Sequence, residues 1–396
     1  MTNSTVDAAD IARHQYFSAT ETARRFAMLR EIMAGRDIGA IVLIHNGPSP
    51  MVQEEFYFLQ SDYVPLSRSV TIIPRHGQHV AMSTYLQAKS HAKNSTTSEV
   101  RIFVETKPQV EVLVETLRQM GHTSGVLGWR WEAVPATWHD TLRAEFPDIV
   151  WVDISSDLLD LWYRRSAEEA AACSRSAEIA DAAYDDLLEH VQPGMSEYEI
   201  VSAFNHAATR HGANRNFTLV ASGPCTPSTP LPELAPPTWR TVNEGDFVTL
   251  EMSPAYAGYY TQLVRTFQVG RGDSSEHADR LRQVAVDAVA EAATALKPGV
   301  TIGKVARVLM EAVSRAGYRA EYPLGHTVGV NLLYERLLPD NDRVLNVDDA
   351  LIIHPKVHHA NGDYGFFWGE TYLVTETGSR SLNAASQLLR TTEPTQ

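Results

Sequence analysis

VQPGMSEYEIVSAFNHAATRHGANRNF (191–217) and LKPGVTIGKVARVLMEAVSRAGYRAEY (296–322) read as two copies of one unit. Pro193 aligns with Pro298, Gly194 with Gly299, Ala207 with Ala312, Arg210 with Arg315 and Gly212 with Gly317, each pair 105 residues apart. Both copies give Pro-Gly, a Ser or Thr N-cap, a helix of about four turns, a glycine stop and a strand. Five aligned pairs without a gap exceed what chance supplies. The repeat predicts a C-terminal domain of two similar halves packed about a pseudo-twofold axis. Such halves share one cleft, a favoured place for a site.

Each half also carries a hairpin signal. DFVTLEMSPAY (246–256) turns at Ala257-Gly258 into GYYTQLVRTFQVG (258–270), and ALIIHPKVHHANGDYGFFWGETYLVT (350–375) turns around Asn361-Gly362. With the first hairpin centred between Tyr256 and Ala257, Glu251 faces Gln262 across the strands. His354 and Glu370 are equidistant from Gly362. His326 follows a Pro-Leu-Gly turn in YPLGHTVGVN (322–331). A polar residue inside an apolar strand needs a partner. One such residue is usually a satisfied core group, whereas five placed symmetrically in a repeat point to a site.

The N-terminal part alternates differently. ATETARRFAMLREIMAG (19–35) reads as an amphipathic helix with Thr20 as N-cap. AIVLI (40–44), FYFL (56–59), SVTIIP (69–74) and HVAMS (79–83) read as strands, and EVLVETLRQMG (111–121) as a helix leading into the strand GVLGW (125–129). This is a small α/β domain with neither GxGxxG nor GxxxxGK. A long helix follows at 166–191, opened by the capping-box pair Ser166 and Glu169.

Composition narrows the function. The 396 residues are 44% hydrophobic and 21% charged, which excludes disorder of the whole chain. A net charge of −14 disfavours nucleic acid and anionic membrane surfaces as partners. No apolar run approaches the roughly 20 residues of a bilayer span. Two cysteines, Cys173 and Cys225, are too few for a disulfide framework or a structural zinc site. The start lacks the features of a secretory signal, so the expectation is a cytoplasmic protein.

The segments WYRRSAEEAAACSRSAEIAD, QPGMSEYEI, NEGDFVTLEMSPAYAGYYTQLVRTF, PLGHTVG, HPKV and GETYLVTETG resemble the pita-bread family of creatinase, prolidase, aminopeptidase P and methionine aminopeptidase. The resemblance covers nearly the whole chain. It implies an α/β (α+β) fold, with a creatinase/prolidase-like N-terminal domain over 1–160 and a pita-bread catalytic domain over 161–396. The metallopeptidases of that family bind two metal ions through two Asp, one His and two Glu. At those positions this chain has Glu251, Gln262, His326, His354 and Gly369, with Glu370 one residue on. A substrate-binding His of the family falls on Glu233. Two carboxylates are few for a two-metal centre.

The expectation is therefore a metal-independent, creatinase-like hydrolase of an amide, amidine or ureido C–N bond in a small polar metabolite, with no cofactor. A single divalent metal on Glu251, His326, His354 and Glu370 is the variant of that reading. The alternatives are an Xaa-Pro-type metallopeptidase with altered ligands, a lyase or isomerase, and a non-catalytic binding protein. His326 and His354 are candidate general bases because an unperturbed imidazole titrates near neutrality. Glu251 and Glu370 orient a cationic group or an imidazolium. Gln262, Glu233, Tyr260 and Arg265 are candidates for substrate binding, Arg265 either as a carboxylate clamp or as one half of a structural ion pair. By resemblance, the loop FLQSDYVPLSRS (58–69) would bring Asp62, Tyr63 and Arg68 to the cleft of a homodimer partner.

Overall fold

The computed structural model describes residues 16–46, 57, 68–84, 98–103, 107–225, 233–270, 276–359 and 365–392. The chain forms two compact units, Met1–Trp162 and Tyr163–Gln396. No helix among the described residues is long and apolar enough to cross a membrane.

In the first unit α1 (Ala19–Gly35) is followed by β1 (Ala40–His45), β2 (Ser69–Pro74), β3 (His79–Ser83), β4 (Ser98–Ile102), α2 (Gln109–Gln119), β5 (Gly125–Trp129), α3 (Ala136–Glu145), β6 (Ile149–Asp153) and α4 (Ser155–Tyr163). The N-cap of α1 is Ser18 and not Thr20: the Ser18 hydroxyl accepts from the Glu21 amide at 3.1 Å. One mixed sheet runs β4-β3-β2-β1-β5-β6. β1 and β2 are buried throughout, as strands covered on both faces should be. Of the strand expected at 56–59 only Tyr57 is described, and it is helical.

The second unit begins with α5 (Ala167–Leu188), closed at its start by the Ser166–Glu169 capping box. Then come α6 (Glu197–Arg210), β7 (Arg215–Gly223), β8 (Phe247–Tyr256), β9 (Tyr259–Tyr260), β10 (Leu263–Gln268), α7 (Glu276–Thr294), α8 (Ile302–Arg315), β11 (Tyr318–Glu321), β12 (Gly325–Val328), β13 (Ala350–Ile353), β14 (Lys356–His359), β15 (Gly365–Phe367), β16 (Glu370–Val374), β17 (Ser379–Ser381) and β18 (Arg390–Thr391). The strands form the runs β18-β10-β8-β7, β11-β14-β15 and β12-β13-β16-β17. This is the α/β pita-bread architecture that the family resemblance implied.

The repeat is visible in the hydrogen bonds. Gly194 donates to the Val242 carbonyl at 2.8 Å, and Val242 donates back to Met195 at 2.9 Å. In the second half Gly299 donates to Leu345 at 2.9 Å, and Leu345 donates back to Val300 at 2.8 Å. Both glycines have positive φ, 94° and 84°, which the Pro-Gly turn requires.

Both hairpins differ in register from the sequence reading. The first turns on Ala257-Gly258, both at positive φ (52° and 81°), so Glu251 lies opposite Val264 and not Gln262. In the second, Ile353 pairs with Glu370. His354 follows Ile353, and a Cβ on Gly369 would lie 2.3 Å from the His354 Cβ. His354 and Glu370 therefore do not face each other, because a one-residue slip puts side chains on opposite faces.

Ser196 and Thr301 cap α6 and α8 through the amides of Glu199 and Lys304, each at 3.3 Å. Ser196→Ala and Thr301→Ala should each lower the unfolding free energy by about 1 kcal/mol. The double variant should lose the sum, since the caps share no partner. Urea denaturation of the three variants measures this.

Candidate functional site

A cavity of about 230 Å³ opens in the second unit. Leu219 and Ala221 of β7, Leu234, Pro323 and Phe367 give it apolar walls. Its polar groups are Thr249 and Glu251 from β8, Lys356 from β14, Tyr322 and Glu233. Glu233 is placed by the segment after it: Ala235 and Val220 exchange both backbone hydrogen bonds at 3.0 Å.

Glu251 is half-buried, with its carboxyl toward the cavity. Burial pushes its pKa up to about 7, and the hydrogen bond from Gln262 offsets only part of that. Gln262 Nε2 donates to Glu251 Oε1 at 2.8 Å and to Ser253 Oγ at 3.0 Å. The contact survives the register difference because a shift of two residues keeps both side chains on one face, with Gln262 opposite Ser253 at the gap between β9 and β10. There the Gln262 backbone exchanges hydrogen bonds with Thr371 Oγ1, at 3.0 Å from its N–H and 2.7 Å to its carbonyl.

His326 and His354 meet edge to face, ring centroids 5.4 Å apart. Both are buried. Burial pushes His326 down to about 4, and burial reinforced by His326 pushes His354 down to about 3. Both imidazoles are thus neutral at neutral pH. The near-neutral pKa that made them candidate bases belongs to Glu251 instead. His354 also packs edge-on against Phe367, centroids 5.1 Å apart.

Glu370 is bound elsewhere. Arg265 Nη2 donates to its Oε1 at 2.6 Å, and both side chains are 2% exposed. Tyr372 and Ser381 donate to its Oε2 at 3.4 and 3.2 Å. Arg265 also donates to the Gly369 carbonyl at 2.9 Å and lies over the Trp368 ring at 4.5 Å. Neither residue lines the cavity. Tyr260 is buried with Ala255 and Leu332, away from the cavity lining. Arg68 donates to Asn46 Oδ1 at 2.9 Å and sits over Trp138 in the first unit. Asp62 and Tyr63 lie outside the described residues.

Lys356 was missed by the sequence reading. Its side chain points into the cavity and forms an ion pair with Glu233. The available signal was a lysine two residues after His354, in a strand otherwise fit for burial.

A two-metal centre does not fit these donors. Among the described residues no three His, Cys, Asp or Glu side chains converge closely enough to hold a metal ion. Glu370 is neutralised by Arg265, and Gln262 supplies no charge. The variant of one metal on Glu251, His326, His354 and Glu370 meets the same obstacle.

The model of metallopeptidase family M24 matches residues 171–376. An Xaa-Pro dipeptidase of Pyrococcus furiosus is 25% identical over 60% of this chain and 67% of its own length. An uncharacterized peptidase of Staphylococcus saprophyticus is 26% identical over 58% of this chain, and the match spans only 65% of that relative's length. Among solved structures, the X-Pro aminopeptidase of Thermotoga maritima superposes with a TM-score of 0.81 at 20% identity, over 92% of this chain and 99% of that one. The prolidase of Pyrococcus furiosus gives 0.72 at 21%, over 90% and 99%. These findings overturn the expectation of a metal-independent, creatinase-like hydrolase of a small polar metabolite. They favour the alternative of an Xaa-Pro-type peptidase. The altered residues at the metal positions had suggested creatinase, but the chain as a whole is similar to peptidases.

Two outcomes follow from the geometry. Arg265→Met leaves Glu370 buried without its cation and should cost about 3–5 kcal/mol in urea denaturation. Arg265→Met/Glu370→Leu should recover much of that loss. For Glu251, the folded pKa lies above the ordinary 4.5, so the fold favours the protonated form. Its contribution is full below 4.5 and is lost as pH rises through about 7. Because the carboxyl meets the cavity, the loss stays below about 3 kcal/mol. Glu251→Gln should flatten the stability profile between those values.

Proposed function

Since the chain belongs to metallopeptidase family M24, we propose that it hydrolyses short peptides of the Xaa-Pro type, with the cavity over Glu251 as the substrate site. The observation that carries this reading is the placement of Glu251, a carboxyl with a pKa near neutrality, in a small and largely apolar cavity. Walls of Leu219, Leu234, Pro323 and Phe367 suit an apolar ring such as that of proline. A volume of about 230 Å³ falls below the usual range of small-molecule sites and suits a ligand of about dipeptide size.

The chain's own groups supply the proton chemistry. Ionised Glu251 can take a proton from the attacking water and pass it to the leaving amine. Gln262 fixes the carboxylate, and Ser253 fixes Gln262. A cytoplasmic homodimer belongs to the same reading, the homodimer resting on the family resemblance.

A panel of Xaa-Pro dipeptides, assayed in chelator and again with added Mn²⁺ or Zn²⁺, tests the proposal. Turnover is expected, with kcat/KM rising as pH increases through about 7 as Glu251 ionises. Glu251→Gln should lower kcat/KM by about a hundredfold or more. Binding without turnover under every condition would replace the hydrolase reading with a non-catalytic module.

A further inference from the structure

Lys356 is 9% exposed, unusual for a lysine. Burying an ammonium costs several kcal/mol unless a partner compensates. Its partner among the described residues is Glu233, and that pair is lopsided. The Lys356 side chain is 11% exposed and that of Glu233 is 80% exposed. A carboxylate standing in solvent contributes only about 0–1 kcal/mol to such a pair.

Other acidic groups nearby are committed elsewhere. Glu321 lies opposite Lys356 in the β11–β14 register, but its carboxylate is 2.7 Å from His358 Nε2. Glu251 lines the same cavity and takes its hydrogen bond from Gln262. The cavity thus holds a sheltered cation whose counter-ion can swing into solvent at little cost. Phe367, opposite Lys356 on β15, supplies an apolar surface beside the ammonium.

We propose that Lys356 binds the carboxylate of the ligand in place of Glu233, and that the cavity selects small carboxylates with an apolar body. The inference rests on the cavity being the substrate site. It orients a peptide with its free C-terminus at Lys356 and its scissile bond toward Glu251. Peptides blocked or extended beyond that C-terminal residue are excluded.

The test is calorimetric titration of the full chain with 3-cyclopentylpropionate and with 3-cyclopentylpropionamide. The two probes share a ring and differ in the carboxylate. The acid should bind the native protein at least about tenfold more tightly than the amide. Lys356→Met should bring the acid down to the amide's affinity and leave the amide within about threefold, which reports an intact cavity. Lys356→Arg should retain the preference. Glu233→Gln, lacking the internal competitor, should tighten acid binding. Equal binding of the two probes by the native protein, equal weakening of both by Lys356→Met, or binding of neither at millimolar concentration would overturn the proposal. The readout does not depend on turnover. A preference for the acid with no hydrolysis of any Xaa-Pro peptide would retain Lys356 as the anchor and remove the hydrolase reading alone.

Discussion

The two halves of the second unit are joined where Val264 and Gly369 exchange backbone hydrogen bonds, at 3.0 and 3.1 Å. A side chain at 369 is excluded, since its Cβ would lie 2.3 Å from the His354 Cβ and 2.7 Å from the Ile353 carbonyl. Arg265, next to Val264, reaches across to Glu370, next to Gly369. This seam aligns β10 with the start of β16. It sets where Glu251, Gln262 and His354 stand relative to one another. A seam of backbone bonds plus one sealed ion pair leaves little freedom of register, and small departures there reposition every polar group nearby.

The fold was legible because its signals were local and repeated. Pro-Gly turns, Ser or Thr caps and glycine stops recur 105 residues apart, and each has a physical requirement that few residues meet. The site was legible only in part. Glu251 and Gln262 do meet, although as diagonal neighbours on one face and not by direct opposition. Glu370 was paired with the wrong neighbour. Centring the turn on Gly362, and not between Asn361 and Gly362, misses by one residue, and one residue is enough to turn a side chain from one face to the other. Lys356 escaped notice because its importance depends on burial and on the exposure of Glu233, neither of which spacing reveals.

The chemistry of the site shows how environment reassigns roles. Two histidines in a row of polar positions suggest bases by their ordinary pKa. Sealed beside each other under Phe367, they become neutral imidazoles far from their titration range. The same desolvation acting on a carboxyl moves it the other way, into the range the histidines left. Family membership and donor set remain in tension in this chain. The architecture is that of a metallopeptidase family, and the residues at the metal positions do not assemble a two-metal centre.

The paired returns at Gly194–Val242 and Gly299–Leu345 also bear on how the chain reaches this state. Each closes a loop of moderate length within its own half, whereas the Val264–Gly369 seam joins positions more than twice as far apart along the chain. Loop-closure entropy favours the shorter closures first. Each half can then collapse around its own helix pair before the seam docks, and the order of events would be two nuclei followed by one late zippering step. The cavity, which draws Glu251 from one half and Lys356 from the other, would exist only after that last step.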